Sequence, residues 1–424
     1  MASFLTFAGC TYLYDRLTFP RLSSKVTFIQ NPFTLSFINH LSAANTFNPL
    51  GVYVHVPFCA TPCDFCAFYQ EKPRRQDLER YLTGMQQEMK LRPLNRPADT
   101  VFWGGGTPGL LPAKDLQRLG EATRVACHTT PKEWTVEMAP SSVKSDKVKV
   151  LLDLGVTRIS MGVQSLQEET LDALGRMHSA KQVLKAYDLL REGGCDNINL
   201  DLMFAIPGQT FESWQQDLED VMALGPEHIS TYCLTFEEDT ALWVRLNQGQ
   251  THRRTLEDEA QFYEKTWDIL ESGGYAQYEI SNFGKPGHAC QHNLDTWSMA
   301  EWAGYGPSAA SQYQGLRLTN PHSIDRWLKG VEGGSPVFEE TIELNNALLA
   351  EDSLIFGLRM NQGVDWGKWQ VRFSEFAAHG RLEAIFRGLE EKGLLERAQE
   401  WVRLTKAGRL VADSVGEAFL GVFS

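Results

Sequence analysis

Six short apolar runs, at 51–56, 100–104, 134–138, 156–162, 197–203 and 229–234, alternate with amphipathic stretches near 76–92, 112–126, 143–153, 179–192 and 211–223. Such a rhythm makes neighbouring strands run parallel, because each intervening helix carries the chain back along the sheet in a right-handed crossover. Six units predict an α/β fold, a partial (β/α)6 barrel that stays open where a full barrel would close. On barrels of this kind the chemistry gathers at the C-terminal strand ends.

The first such end carries three cysteines in close order. Val54-His55-Val56-Pro57-Phe58 leads into Cys59-Ala60-Thr61-Pro62-Cys63-Asp64-Phe65-Cys66, a C-x-x-x-C-x-x-C run. A cubane [4Fe–4S] cluster takes cysteine thiolates on its irons, so three on one loop leave one iron open to a reacting ligand. A structural zinc loop is the plainer alternative. It usually spaces its cysteines C-x-x-C and draws a second ligand pair from further on, and no second cysteine pair stands in this chain.

The eight cysteines are otherwise scattered, which gives no disulfide framework and points to a reducing compartment. A net charge of −13 argues against a nucleic-acid partner, which needs a basic face. No apolar run reaches 18 residues, so no membrane span and no stable membrane insertion are expected. Residues 1–46 hold Asp15 as their single acid and are rich in Ser, Thr and Phe. A transit peptide, a disordered tail and a misassigned start all accommodate that composition.

The expected organisation is an extension over 1–46, a core barrel over 47–240, a further α/β extension over 241–340 and a winged-helix-like domain over 341–424. Leu256, Phe262, Trp267 and Leu270 mark one side of a helix after the barrel. The last segment reads as a helix at Leu382–Lys392, a hairpin through Leu395 and Trp401–Leu404, and a final helix opened by Thr405. Acidic and basic residues balance there, which favours a packing or partner module over DNA binding.

The cysteine spacing, with the aromatic Phe65 before the last cysteine, resembles the radical S-adenosylmethionine (SAM) superfamily. The flanking Tyr53-Val54-His55-Val56-Pro57-Phe58 is similar to its oxygen-independent coproporphyrinogen III oxidase family. The oxidase branch has a further cysteine two residues past the third; Phe68 stands there in this chain, as in the haem-chaperone, HemW-like branch. Tyr278–Phe283 (Y-E-I-S-N-F) and the run from His288 through Cys290 and His292-Asn293 to Trp297 resemble that branch too, although Thr296 replaces its usual aromatic.

The resemblance implies a [4Fe–4S] cluster on Cys59, Cys63 and Cys66. It also implies SAM held by Tyr53, Phe65, Gly106, Thr107, Pro108, Glu137, Gln164, Arg176 and Asp201. SAM would chelate the open iron, and an electron donor for the cluster would be a partner. The Gly104-Gly105-Gly106 run suits close backbone approach to a ligand, and Asp201 inside an apolar strand calls for partners. The function implied is a haem chaperone, with haem and haem-accepting proteins as partners in the cytoplasm, or in an organelle if residues 1–46 are a transit peptide. Oxidative decarboxylation of coproporphyrinogen III is the alternative. His292 is either a haem ligand or a hydrogen-bonded structural histidine, His288 and Cys290 are weaker ligand candidates, and His55 is a candidate proton donor.

Overall fold

A computed structural model describes residues 49–423; the transit-peptide reading of 1–46 lies outside the described residues. Six parallel strands form its centre: β1 (Leu50–Val56), β2 (Thr100–Gly105), β3 (Glu133–Met138), β4 (Arg158–Gln164), β5 (Ile198–Phe204) and β6 (His228–Cys233). Helices Arg75–Leu91, Ala113–Cys127, Ser145–Leu154, Ala180–Glu192 and Phe211–Leu224 return the chain between them, close to the expected places. A short helix, Glu168–Ala173, was not expected.

The strand expected at 156–162 starts two residues later. Gly155 ends the preceding helix in the left-handed conformation, and the Val156 N–H donates to the Leu151 carbonyl at 3.0 Å. That amide closes the helix and does not enter the ladder.

The sheet is wider than six strands. Beyond β6 come β8 (Asn282–Gly284) and β7 (Ala276–Glu279), both antiparallel. On the other side β9 (Glu301–Tyr305) pairs in parallel with β1, followed by antiparallel β10 (Ala310–Tyr313), β11 (Leu316–Thr319) and β12 (Glu340–Glu343). The result is an open 12-stranded sheet with the parallel barrel section in its middle. A separate three-stranded antiparallel sheet of β13 (Val364–Asp365), β14 (Leu395–Ala398) and β15 (Trp401–Leu404) packs with the C-terminal helices around its own apolar core.

Side chains alternate across each strand. Val52, Val54, Val101, Trp103, Trp134 and Val136 enter the main core with the helices. The opposite residues, from Tyr53, Phe102 and Glu137 to Asn199, Asp201 and His228, face the interior, which is therefore largely polar. In helix Leu256–Ser272 the residues Phe262, Trp267 and Leu270 are buried as expected, but Leu256 is 79% exposed. It sits at the first helical position, beyond the packed face. Among the described residues no helix is long and apolar enough to cross a membrane.

Candidate functional site

The cysteine loop leaves β1 at the C-terminal end of the barrel and is tied down on several sides. The Cys59 N–H donates to the Glu71 carbonyl at 3.0 Å, and the Asp64 N–H donates to the Leu174 carbonyl at 3.3 Å. The Asp64 carbonyl accepts from the Leu242 N–H at 2.8 Å, and its carboxylate pairs with Arg245 at 2.7 Å. Cys59, Cys63 and Cys66 are all partly buried.

Burial pushes the Cys59 thiol up to about 11 and the Cys66 thiol up to about 12; the nearby Cys63 adds to both, while Arg176 acts against the rise. The Arg176 guanidinium donates to Cys63 Sγ at 3.2 Å and lies 5.7 Å from the Phe65 ring centroid. Among the described residues no three His, Cys, Asp or Glu side chains converge on one point as a mononuclear metal requires. A cubane asks for a different arrangement, with one thiolate per iron corner. Three neighbouring soft sulfur donors beside a cation fit such a cluster.

The glycine loop after β2 lies against the cysteine loop. Gly106 N–H donates to the Val56 carbonyl and Thr107 N–H to the Phe58 carbonyl, both at 2.8 Å, while Thr107 Oγ1 lies 3.7 Å from Cys59 Sγ. A Cβ on Gly106 would come within 2.8–2.9 Å of backbone atoms of Val56 and Phe58, so only glycine fits this contact. Gly105 adopts a φ of 102° and leaves room for the His55 ring. Pro108 follows, buried, in a short 3-10 turn.

Glu137, next to last in β3, faces the interior with its carboxyl beside Gly104. Burial holds its carboxyl well above the usual range, and Asp201 raises it further. Asp201 is raised chiefly by burial, opposed by its hydrogen bonds and by Arg158. It accepts from Ser160 Oγ at 3.0 Å and from Asn199 Nδ2 at 2.8 Å. Two crowded carboxyls on an inner wall suit a ligand that brings positive charge or hydroxyl donors.

Gln164 closes β4 with a φ of 68°, at a break in the pairing with β5. A non-glycine residue held in the left-handed region marks backbone whose conformation is set by its surroundings. Its amide and the Arg176 guanidinium both lie against Gly162. Tyr53 lies lower on β1, ring-stacked with Phe102 at 6.4 Å. The structure thus brings Cys59, Cys63, Cys66, Phe65, Gly106, Thr107 and Arg176 together, with Gln164 beside Arg176. Glu137, Asp201 and Tyr53 line the interior beneath them.

Two candidate histidines lie in closed surroundings. His55 is fully buried, with Nδ1 3.2 Å from the Tyr53 hydroxyl and Nε2 3.3 Å from the Tyr69 carbonyl. A carbonyl only accepts, so Nε2 carries the proton and Nδ1 takes the Tyr53 proton. Both ring nitrogens are engaged, and burial lowers its pKa to about 4, so His55 is not a ready proton donor.

His292 is 2% exposed, at the opposite end of the barrel, where its Nδ1 lies 2.8 Å from Thr100 Oγ1 and its ring packs on Phe102. Burial alone lowers its pKa to about 3. The structural role is the one this environment supports. Glu133 caps the short helix Gln291–Trp297, accepting from the N–H groups of Gln291 and His292 at 2.8 and 2.9 Å, and Cys290 Sγ lies 3.4 Å from the same carboxylate. His228, Asn199 and Tyr278 form an interior network that sequence reasoning missed. The signal was available in polar residues recurring at every second position of β5 and β6.

Comparison with known proteins gives the family and the fold. Residues 53–221 match the radical SAM superfamily and residues 344–411 match the HemN C-terminal domain. The chain is 33% identical over 375 residues to the haem chaperone HemW of Bacillus subtilis, covering 87% of this chain and 98% of that protein. It is 31% identical over 348 residues to the mitochondrial radical S-adenosyl methionine domain-containing protein 1 of Danio rerio, covering 79% of this chain and 77% of that one. A solved structure of coproporphyrinogen III oxidase (HemN) from Escherichia coli superposes with a TM-score of 0.78 at 22% identity, over 88% of this chain and 90% of the other, which shows the shared fold. The chain belongs to the radical SAM superfamily, in the HemW-like branch of the oxygen-independent coproporphyrinogen III oxidase family.

Proposed function

We propose that this chain is a haem chaperone that binds haem and passes it to haem proteins, using a [4Fe–4S] cluster and SAM held in a radical-SAM barrel. The observation that carries the reading is its 33% identity to the haem chaperone HemW of Bacillus subtilis across 98% of that protein. Phe68 adds support. The oxidase branch has a further cysteine at this position, and this chain has none there.

In this reading Cys59, Cys63 and Cys66 hold three irons. The Gly106–Pro108 loop, Glu137, Gln164, Arg176, Asp201, Tyr53 and Phe65 would hold SAM beside the cluster. Bound together, cluster and SAM supply one-electron chemistry at the SAM sulfonium. The protein's part is to position them: Arg176 offsets negative charge at Cys63, Gly106 lets the two loops meet, and the Glu137 and Asp201 carboxyls accept hydrogen bonds. An electron donor would serve the cluster. The proposed compartment is the cytoplasm, or an organelle if residues 1–46 act as a transit peptide; imaging fusions with and without those residues distinguishes the two.

The test is haem titration of anaerobically purified protein, with a parallel assay of coproporphyrinogen III in the presence of SAM and reductant. A stable Soret band with no protoporphyrinogen is expected. Decarboxylation above roughly one turnover per second, an ordinary enzyme rate, would replace the chaperone with the oxidase.

A further inference from the structure

The polar interior contains one chain of hydrogen bonds whose direction follows from its end at the Asp201 carboxylate, which only accepts and so turns the Asn199 amide nitrogen toward itself. It starts at the backbone N–H of Cys290, which donates to the Tyr278 hydroxyl oxygen at 3.2 Å. The same hydroxyl lies 2.8 Å from His228 Nε2, and it donates there because the Asn199 oxygen at the other ring nitrogen only accepts, which keeps the imidazole proton on Nδ1. With Nε2 accepting, the neutral imidazole carries its proton on Nδ1, which faces Asn199 Oδ1 at 2.6 Å. That bond turns the Asn199 amide so that Nδ2 donates to Asp201 Oδ1 at 2.8 Å and to Ser160 Oγ at 2.7 Å. The Ser160 hydroxyl then donates to Asp201 Oδ2 at 3.0 Å. Every proton in the chain points toward the Asp201 carboxylate.

We propose that Tyr278, His228 and Asn199 are positioning residues, a one-directional relay that fixes the Asp201 carboxylate and thereby sets the affinity for SAM. The inference rests on the reading of Asp201 as a SAM contact. It gives the Tyr278–Phe283 segment, which lies outside the parallel barrel strands, a direct line into the cofactor site. Ser230 borders the relay, its one hydroxyl proton shared between Asn199 Oδ1 at 3.1 Å and Asn282 Oδ1 at 2.9 Å. With the relay reversed, Asn199 would present its oxygen to a carboxylate, and Asp201 would lose a donor in a buried setting.

The experiment is equilibrium SAM binding to the cluster-loaded protein, together with 15N NMR of labelled histidine on the protein without SAM. Tyr278→Phe is expected to weaken SAM binding about tenfold, the scale of one hydrogen bond to a charged group, and to move His228 away from the Nδ1–H tautomer. In a His228→Asn background the same change should be silent, because the asparagine amide donates to Asn199 whether or not Tyr278 is present. Equal losses in both backgrounds would mean a packing role and overturn the relay. An Nε2–H tautomer for His228 in the parent protein would overturn it without any variant. If Asp201→Ala leaves SAM affinity unchanged, it is the reading of Asp201 that fails; if it weakens binding while Tyr278→Phe does not, the relay alone fails.

Discussion

Arg176 donates to the Cys63 sulfur at 3.2 Å while its guanidinium lies 5.7 Å from the Phe65 ring centroid, so one side chain touches both a cluster ligand and the aromatic of the same loop. The same cation acts against the rise that burial imposes on Cys59 and Cys66. It stands where the loop needs help, since burial holds two of the three sulfurs up toward their protonated forms.

Anaerobic reconstitution is expected to give about four irons per chain, the cubane stoichiometry. Cys63→Ala should lose this iron while keeping the circular dichroism of the parent, because the main core lies on the other face of the sheet. One tightly held zinc with no iron would defeat the cluster assignment.

Asp201→Ala and Glu137→Ala should each weaken SAM binding by about tenfold or more, as expected for removing a buried hydrogen-bond partner. Their iron content should stay near the parent value. Isothermal titration under anaerobic conditions measures the first quantity and a colorimetric iron assay the second; unchanged affinity in both variants would dismiss these positions as SAM contacts.

Gly106→Ala has no room for its methyl group between Val56 and Phe58. It should push the glycine loop off the cysteine loop and reduce both iron retention and SAM affinity. The change in melting temperature should be modest, because the contact is local to the rim. Wild-type iron and SAM binding in this variant would show that the loops need not touch.

His292 makes a pH prediction. Its folded pKa, about 3, lies below the ordinary value of 6.5, so between these pH values the unfolded chain binds a proton that the folded chain does not. The contribution of His292 to stability is therefore fully present above pH 6.5 and falls as pH drops toward 3. Its loss by pH 4 is on the order of 3 kcal/mol. His292→Gln should lose stability at pH 7 but show a flatter pH dependence between 4 and 6.5 in urea titrations. The haem spectrum of this variant should match the parent; a shifted Soret band would return His292 to the candidate ligands.

The barrel was legible because its strands carry dense apolar runs and its helices have strong periodicity. Phe262, Trp267 and Leu270 fell on the buried side of their helix for the same reason. The cysteine loop was legible because its chemistry depends on spacing along the chain. What escaped depends on distant partners: β9 joins β1 through a five-residue strand with no mark of its destination. The environments of His55 and His292 come from Tyr69 and Thr100, neighbours in space rather than in sequence.

The parallel pairing of β1 with β9 has a consequence for the order in which this protein is made. The strand that launches the cysteine loop leaves the ribosome first, yet its neighbour on one side, Glu301–Tyr305, is synthesised roughly 250 residues later. At about 5–20 residues per second, that flank of β1 stays uncovered for tens of seconds. Nascent chains are thus exposed to edge-to-edge association through this strand, and premature release before residue 305 would leave the cluster loop mounted on an unfinished sheet.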